Sequence, residues 1–321
     1  MNLRLVEISA QSYAEQVLPL TEPLWARGRP LQTYREQTTQ LAHTAYGRKS
    51  YRTIGLSGGE NIFATFKRYE RGARADNQTL RAMGIGAVFT PEPFRGQGFA
   101  SAMLAMALDA ARSSGMDFAY LFSDIHPQFY KELGFTELPS RAISFRADSL
   151  EPARIDAQPI ADREWTGVRA CFEAMERARD LSLTRPPAVW NWMRARIAHA
   201  SQQQHAQPVN LAVCKGRAIA AYVIGQREPR HDAYVVDELA FGTPHSRALI
   251  PALLRVAAGD LRRIVGWLPP SPVRAVLPRG SVRIRSDAIF MVAPLTPGGT
   301  RFLERAKAAG SADPVWSLDH I

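Results

Sequence analysis

Residues 88–101 read VFTPEPFRGQGFAS, and the reading of this stretch decides the fold. Val88, Phe89 and Thr90 close a short apolar run that begins at Met83, as a buried strand would. Pro91, Pro93, Gly96 and Gly98 then mark a loop, and residues 99–113 are strongly helical in composition. A strand that passes through a glycine loop straight into a helix exposes that helix's first N–H groups. Those groups have no intrahelical acceptor and carry partial positive charge, so they suit a phosphate. Glycine lets the backbone approach a pyrophosphate closely, and Arg95 adds charge at the mouth. No Lys-Ser/Thr pair follows, which excludes a nucleoside triphosphate loop, and the G-x-G-x-x-G of a dinucleotide fold is missing. Taken alone, such a turn is equally compatible with a purely structural role.

Working outward, residues 3–8 alternate as a first strand, followed by helical stretches at 12–25 and 31–45. Strands at 51–56 and 62–71 are joined by Ser57-Gly58-Gly59, and the polar segment 71–81 reads as a loop. After the helix come a strand at 116–122, a short helix at 128–133 closed by Gly134, and strands at 135–138 and 142–145 that finish the block. This order predicts an α/β mixed sheet over residues 1–150. Residues 148–159, with Pro152 and Pro159, read as a linker.

A second domain is expected over 160–321. Asp162 opens an amphipathic helix with Trp165, Val168, Phe172 and Met175 at helical spacing. A second helix at 188–200 carries Trp190, Met193 and Ile197 on one face. Trp192 lies off that face, placed to pack on the other domain or a ligand. Strands at 209–214, 218–225 and 233–241 and a helix at 246–261 follow. A weak repeat links the halves. Gly86-Ala87-Val88-Phe89-Thr90-Pro91 leads through a loop into a helix, and so does Leu239-Ala240-Phe241-Gly242-Thr243-Pro244. The second loop has His245-Ser246-Arg247 where the first has its glycine pair, so the reading is one working and one degenerate copy of a fold. Asp237 and Glu238, on the matching strand of that copy, read as surface or structural groups.

Composition narrows the function classes. The chain has 321 residues, enough for about two domains. Hydrophobic residues make up 46%, which excludes a disordered, solvating polymer. The formal charge is +10, but the basic residues are scattered and almost all Arg, so they read as a solvated surface rather than a nucleic-acid face. Cys171 and Cys214 form no metal or disulfide framework and both read as core residues, in keeping with a reducing cytoplasm. The apolar run in MNLRLVEISA is too short for a signal peptide, and no stretch is long enough to span a membrane.

Arg95-Gly96-Gln97-Gly98-Phe99-Ala100 matches the Arg/Gln-x-x-Gly-x-Gly/Ala signature of the GNAT superfamily of acyl-CoA-dependent N-acyltransferases. Phe129-Tyr130-Lys131-Glu132-Leu133-Gly134-Phe135 resembles that superfamily's second signature, Tyr-x-x-x-Gly-Phe. The resemblance covers residues 1–150 well and the rest loosely. It implies two GNAT-like mixed-sheet domains in tandem, with the second walling the acceptor site. It also implies that Val88, Phe89 and Thr90 pair with the pantetheine arm, and that backbone N–H groups of Arg95, Gly96, Gln97, Gly98, Phe99, Ala100 and Ser101 hold the pyrophosphate.

The reaction implied is N-acetyl transfer from acetyl-CoA, as co-substrate and without a metal, by direct attack of a primary amine in a ternary complex. Tyr130 sits where the family places its general acid. The base stays open among Asp124, His126 and a water chain. A further candidate is the carboxylate of Ile321, because the enhanced-intracellular-survival acetyltransferases, which this chain resembles, thread their terminal carboxylate into the active site. Residues 121–130 also resemble the yeast lysine N6-acetyltransferase family, which favours a small-molecule amine or amino-acid acceptor. No nucleic-acid or membrane partner is expected, and a homo-oligomer is compatible with the sequence. The alternative reading is a catalytically inactive acyl-CoA-binding sensor or scaffold.

Overall fold

The computed structural model describes residues 2–26, 28–125, 127–152, 154–200, 206–308 and 315–321. Two eight-stranded mixed sheets organise the chain. The first runs, in spatial order, Arg4–Ile8, Tyr51–Gly58, Asn61–Ala75, Gln78–Phe89, Phe118–Ser123, Ile289–Pro294 and Thr136–Glu137, with Leu181–Leu183 added beside Asn61–Ala75. The second runs Ser281–Ile284, Arg141–Arg146, Arg263–Trp267, Ala233–Phe241, Ala218–Glu228, Leu211–Lys215 and Ala157–Pro159, with Gln207–Pro208 beside Ala218–Glu228. Each sheet has one parallel pair at its centre: Gln78–Phe89 with Phe118–Ser123, and Ala233–Phe241 with Arg263–Trp267. All other neighbours are antiparallel. The tandem of mixed sheets expected from the sequence is the observed architecture.

The sheets do not divide at one point in the chain. The strand expected at 142–145 to finish the first block is Arg141–Arg146, and it pairs instead with Arg263–Trp267 and Ser281–Ile284 of the second sheet. In return Ile289–Pro294 crosses back and lies antiparallel to Phe118–Ser123. Its sequence, IFMVAP, is apolar without alternation, as a strand covered on both faces requires, and Phe290, Met291 and Val292 are wholly buried. Neither sheet is complete without a strand from the other half of the sequence.

Other expectations change in detail. The predicted helix at 12–25 is two, Ala10–Gln16 and Leu18–Trp25, divided just before Pro19. The predicted loop at 71–81 is a hairpin: Asn61–Ala75 and Gln78–Phe89 pair in unbroken register from Arg68–Ile85 to Ala75–Gln78 around an Asp76-Asn77 turn. Cys171 is buried as expected, but Cys214 is exposed, because a register shift at Val213/Cys214 turns it outward. Trp192 packs on the other half, with its ring centroid 5.6–5.8 Å from those of Tyr46, Tyr51 and Tyr69. Among the described residues no helix is long and apolar enough to cross a membrane.

Candidate active site

The central parallel pair of the first sheet comes apart. Its registered partners end at Ile85 and Leu121, although the two strands continue to Phe89 and Ser123. Beyond that point the edge of residues 86–89 faces an opening rather than a neighbour. A bulge sharpens the departure: Thr65 pairs with Phe89 and Lys67 with Gly86, so Ala87 and Val88 together oppose the single residue Phe66. Ala87 takes a φ of 47°, which re-aims the strand there. Of the residues predicted to pair with an extended ligand, Val88 lines the opening. The Phe89 ring turns away onto Trp25 at 6.2 Å. The Thr90 carbonyl accepts a hydrogen bond from Arg95 Nε at 3.1 Å.

The glycine loop follows as read. A short turn at Glu92–Phe94 leads into Arg95-Gly96-Gln97-Gly98, and the helix Phe99–Ser113 starts at once. Gly98 is the N-cap, at φ 78°, and no side chain caps the helix. A left-handed N-cap costs a residue with a Cβ roughly 1 kcal/mol or more, which accounts for glycine there. The first-turn N–H groups of Phe99, Ala100 and Ser101 are therefore aimed past an exposed loop. Gln97 donates to the Pro93 carbonyl at 3.0 Å and, with Arg95, braces the loop from inside.

The opening continues into a cavity of about 500 Å³ between the halves. Gly86, Ala87 and Val88 line one side, and Asn210, Gln226 and Asp237 of the second sheet line another. Tyr130 projects into it from the helix Gln128–Lys131 and is buried. Burial, with the charge of Asp124 adding, pushes its phenol up to about 12, so the proton stays on at neutral pH. Asp124 also lines the cavity, accepting from the Ala288 N–H at 2.8 Å, with His320 Nε2 4.0 Å from its other oxygen. His126 lies outside the described residues.

Ile321 enters the same cavity and packs directly on the split strand. A Cβ on Gly86 would stand 3.0 Å from the Ile321 main-chain carbonyl carbon and 3.1 Å from its oxygen, and one on Gly84 would stand 2.6 Å from Ile321 Cδ1. Glycine at both positions is what admits the tail. Gly86→Val, although better suited to a strand by propensity, should push the tail off the strand. Since a misplacement of about 1 Å can cost up to about 10²-fold, turnover should fall at least about tenfold while the melting temperature stays close to wild type. A variant of unchanged turnover would show the tail to be dispensable.

A buried charge cluster anchors that tail. Arg185 reaches Asp319 through two bonds, Nε–Oδ1 at 3.0 Å and Nη2–Oδ2 at 2.6 Å, and also pairs with Glu238. Arg71, from the first sheet, holds Asp319 Oδ1 at 3.0 Å. The Tyr222 hydroxyl donates to Glu238 at 2.7 Å, and the Trp316 N–H donates to Asp319 at 3.1 Å. All four charged side chains are at most 2% exposed. Burial alone would raise Asp319, but Arg185 and Arg71 outweigh it and hold the carboxyl at about 2. Burial pushes Glu238 up to about 7 against the pull of Arg185 and Tyr222. Glu238 is thus structural and wholly internal, and Asp237 lines the cavity, where it accepts from the Ser317 hydroxyl at 3.0 Å.

The sequence of residues 11–138 matches the family model of the acetyltransferase (GNAT) domain. Over these residues the chain is similar to a GNAT acetyltransferase domain. Solved structures extend the likeness in fold to nearly the whole chain. A "probable N-acyltransferase" of Enterococcus faecalis V583 superposes with a TM-score of 0.73 at 14% identity, over 95% of this chain and 75% of that one. Eis1 of Mycobacterium abscessus gives 0.62 at 14%, over 96% and 76%. A tandem GNAT protein from the clavulanic acid biosynthesis pathway gives 0.51 at 14%, over 92% and 99%. No curated protein matches the chain by sequence.

The second GNAT-like sheet repeats the split without the loop. Its parallel pair ends at Val236–Gly266, while Ala233–Phe241 runs on. The chain then makes a tight turn at Pro244–Ala248, where Thr243 Oγ1 accepts from the Ser246 N–H at 3.3 Å, so a side chain caps this turn where the helix start of the first copy has none. The tail segment Ser317–Asp319 fastens next to this second split through Asp237 and, by way of Arg185, Glu238. Reading the sequence alone missed Arg71, Arg185 and Asp319. It also missed Lys67, which lines the cavity. The only local signal for Lys67 and Arg71 is their place at i and i+4 with Tyr69 between, on the inward face of an alternating strand.

Proposed function

We propose that the protein is an N-acetyltransferase that moves the acetyl group of acetyl-CoA to a primary amine by direct attack in a ternary complex. The observation that carries this reading is the split beyond Ile85–Leu121, which opens into one cavity lined by the bulged strand, Tyr130 and Ile321. In this reading the pantetheine arm lies along Val88, Phe89 and Thr90, and its pyrophosphate meets the N–H groups of residues 95–101 at the uncapped helix start.

The neutral amine attacks the thioester carbonyl, and the carbonyl oxygen takes up the electron pair. The Ala87–Val88 bulge, free of the ladder, faces the site where that oxyanion forms. The amine's proton passes to the carboxyl group of Ile321, against Gly86. Collapse of the tetrahedral species breaks the C–S bond, and Tyr130 gives its proton to the leaving thiolate. A phenol with its proton held up to about 12 remains available as a donor over the whole neutral range. The test is release of CoA thiol from acetyl-CoA in the presence of an amine panel, with mass spectrometry of the amine product. Equimolar thiol and N-acetyl product support the reading. Tight acetyl-CoA binding with no product from any amine would leave the sensor or scaffold alternative in its place.

A further inference from the structure

Three cationic side chains on the cavity wall, Arg29, Lys67 and Arg196, are not used by the acyl-transfer chemistry above; Arg29 is bonded to the Ala26 and Trp25 carbonyls and to Gln37, which leaves Lys67 and Arg196. Lys67 lies directly opposite Gly86 in the register of Asn61–Ala75 with Gln78–Phe89. Paired residues send their side chains to the same face, so Lys67 leaves the sheet on the side where Gly86 meets Ile321. It is 5% exposed and lines the cavity. Its Nζ donates to Thr53 Oγ1 and lies 3.3 Å from the centre of the Tyr13 ring and 5.1 Å from that of Tyr51. Among the described residues no carboxylate pairs with it, and burial alone pushes its ammonium down to about 7.

Arg196 comes to the same wall from the second half, on the helix Pro187–Ala200. Its guanidinium lies 4.8 Å from the Trp192 ring centre, and its Nη1 is buried with no hydrogen-bond partner among the described residues. The charge of Arg196 acts on Tyr51 and Tyr69, and Lys67 sits beside the first of these and two residues before the second. Trp192 packs on both tyrosines. Neither group has a carboxylate in contact among the described residues, although the charge of Asp319 acts on Arg196, and two such groups beside one aromatic cluster are costly to keep charged unless an anionic ligand completes them. The cofactor's phosphates are not that ligand, since residues 95–101 take no part in this cavity's wall. The carboxylates of the wall are already engaged: Asp124 by the Ala288 N–H and Asp237 by the Ser317 hydroxyl.

We propose that Lys67 and Arg196 form the anion subsite of the acceptor, so that the amine accepted is zwitterionic and bears a carboxylate or phosphate. The subsite rests on the acetyltransferase reading above and narrows its acceptor class. A free polyamine or aminoglycoside leaves Lys67 and Arg196 without a counter-anion. An amino acid or a phosphorylated amino alcohol satisfies both cations and still offers its amine to the acyl carbon next to Gly86.

Matched pairs that differ only in the anion test this. L-lysine is compared with cadaverine, L-phenylalanine with phenethylamine, and phosphoethanolamine with ethanolamine, each as acceptor for the full-length protein with saturating acetyl-CoA. The anionic member should have the lower KM by about tenfold or more, with amino acids and phosphoethanolamine separating the carboxylate and phosphate sources. Lys67→Met should raise that KM at least about tenfold with little change in kcat and unchanged acetyl-CoA affinity, and Arg196→Gln should do the same. Binding of the anionic member above neutral pH should also take up a proton, because a counter-anion returns Lys67 to its charged form while Tyr13, Tyr51 and Tyr69 stay neutral and Arg196 stays charged. Calorimetry in buffers of different ionisation heat reads that uptake.

Equal or better use of the decarboxylated members overturns the proposal, as does turnover confined to spermidine or kanamycin. Neither turnover nor binding of any pair member, with acetyl-CoA bound, overturns it too. Failure to bind acetyl-CoA at all is the distinct result that removes the transferase reading itself.

Discussion

Tyr130→Phe should lower kcat by about 10²-fold or more and leave the affinity for acetyl-CoA within about twofold, in line with the 10²–10⁴-fold commonly supplied by a positioned acid. The ring is 7% exposed and packs edge-on against Phe129 and Phe135, so phenylalanine keeps the packing and removes only the hydroxyl. A free phenol has a pKa of about 10 and a thiol of about 8.5, so proton transfer to a fully formed thiolate is uphill, and Tyr130 acts by hydrogen-bonding the sulfur as negative charge builds on it and releasing the proton as the C–S bond breaks. Burial and Asp124 hold the donor's proton more firmly still, up to about 12. The alkaline limb of the kcat profile should accordingly show no loss attributable to Tyr130 below about pH 10. The defect in Tyr130→Phe should shrink with acyl donors whose thiol leaves more easily. An unchanged kcat would remove Tyr130 from the reaction.

The second large effect is on stability. Asp319→Ala should cost roughly 3–5 kcal/mol, the usual range for removing one partner of a buried ion pair. Arg71 and Arg185 lose their shared partner inside the protein, and Arg185 is left with Glu238 alone. The same change frees the segment that carries Ile321 to Gly86, so turnover should fall by more than the loss of folded protein explains. Acid titration identifies the cause. The folded carboxyl sits at about 2, below its ordinary 3.8, so its contribution is complete above the ordinary value and disappears as pH falls through about 2. Urea unfolding of wild type and Asp319→Asn at successive pH values should therefore show two curves that converge toward acid. Parallel curves, or a cost under about 1 kcal/mol, would mean that the cluster contributes no more than an exposed pair.

The local parts of this account were legible in the sequence. The helix Phe99–Ser113 and the strand Ala233–Phe241 have the limits read from periodicity, and the glycines at 96 and 98 take the positive φ their loop demands. Tyr130, Ile321 and Val88 line one cavity. What escaped depends on partners distant in sequence. Residues 71–81 look like a polar loop because Arg71 and Arg74 interrupt the strand, yet Arg71 is buried by a carboxylate 248 residues away. The exchange of Arg141–Arg146 for Ile289–Pro294 leaves no mark in either strand's own pattern, since alternation fixes which face is buried and not which sheet a strand joins. Lys67 is one of five lysines, and only the bulge opposite it and the tyrosines around it give it a setting.

The most direct test of the central claim is calorimetric titration of the protein with acetyl-CoA, beside the variant Gly98→Val. Wild type should bind saturably in the micromolar range or tighter, and Gly98→Val at least about tenfold more weakly, because a β-branched residue is strained at that left-handed N-cap. Absence of binding at millimolar acetyl-CoA, or equal affinity in the two proteins, would contradict it.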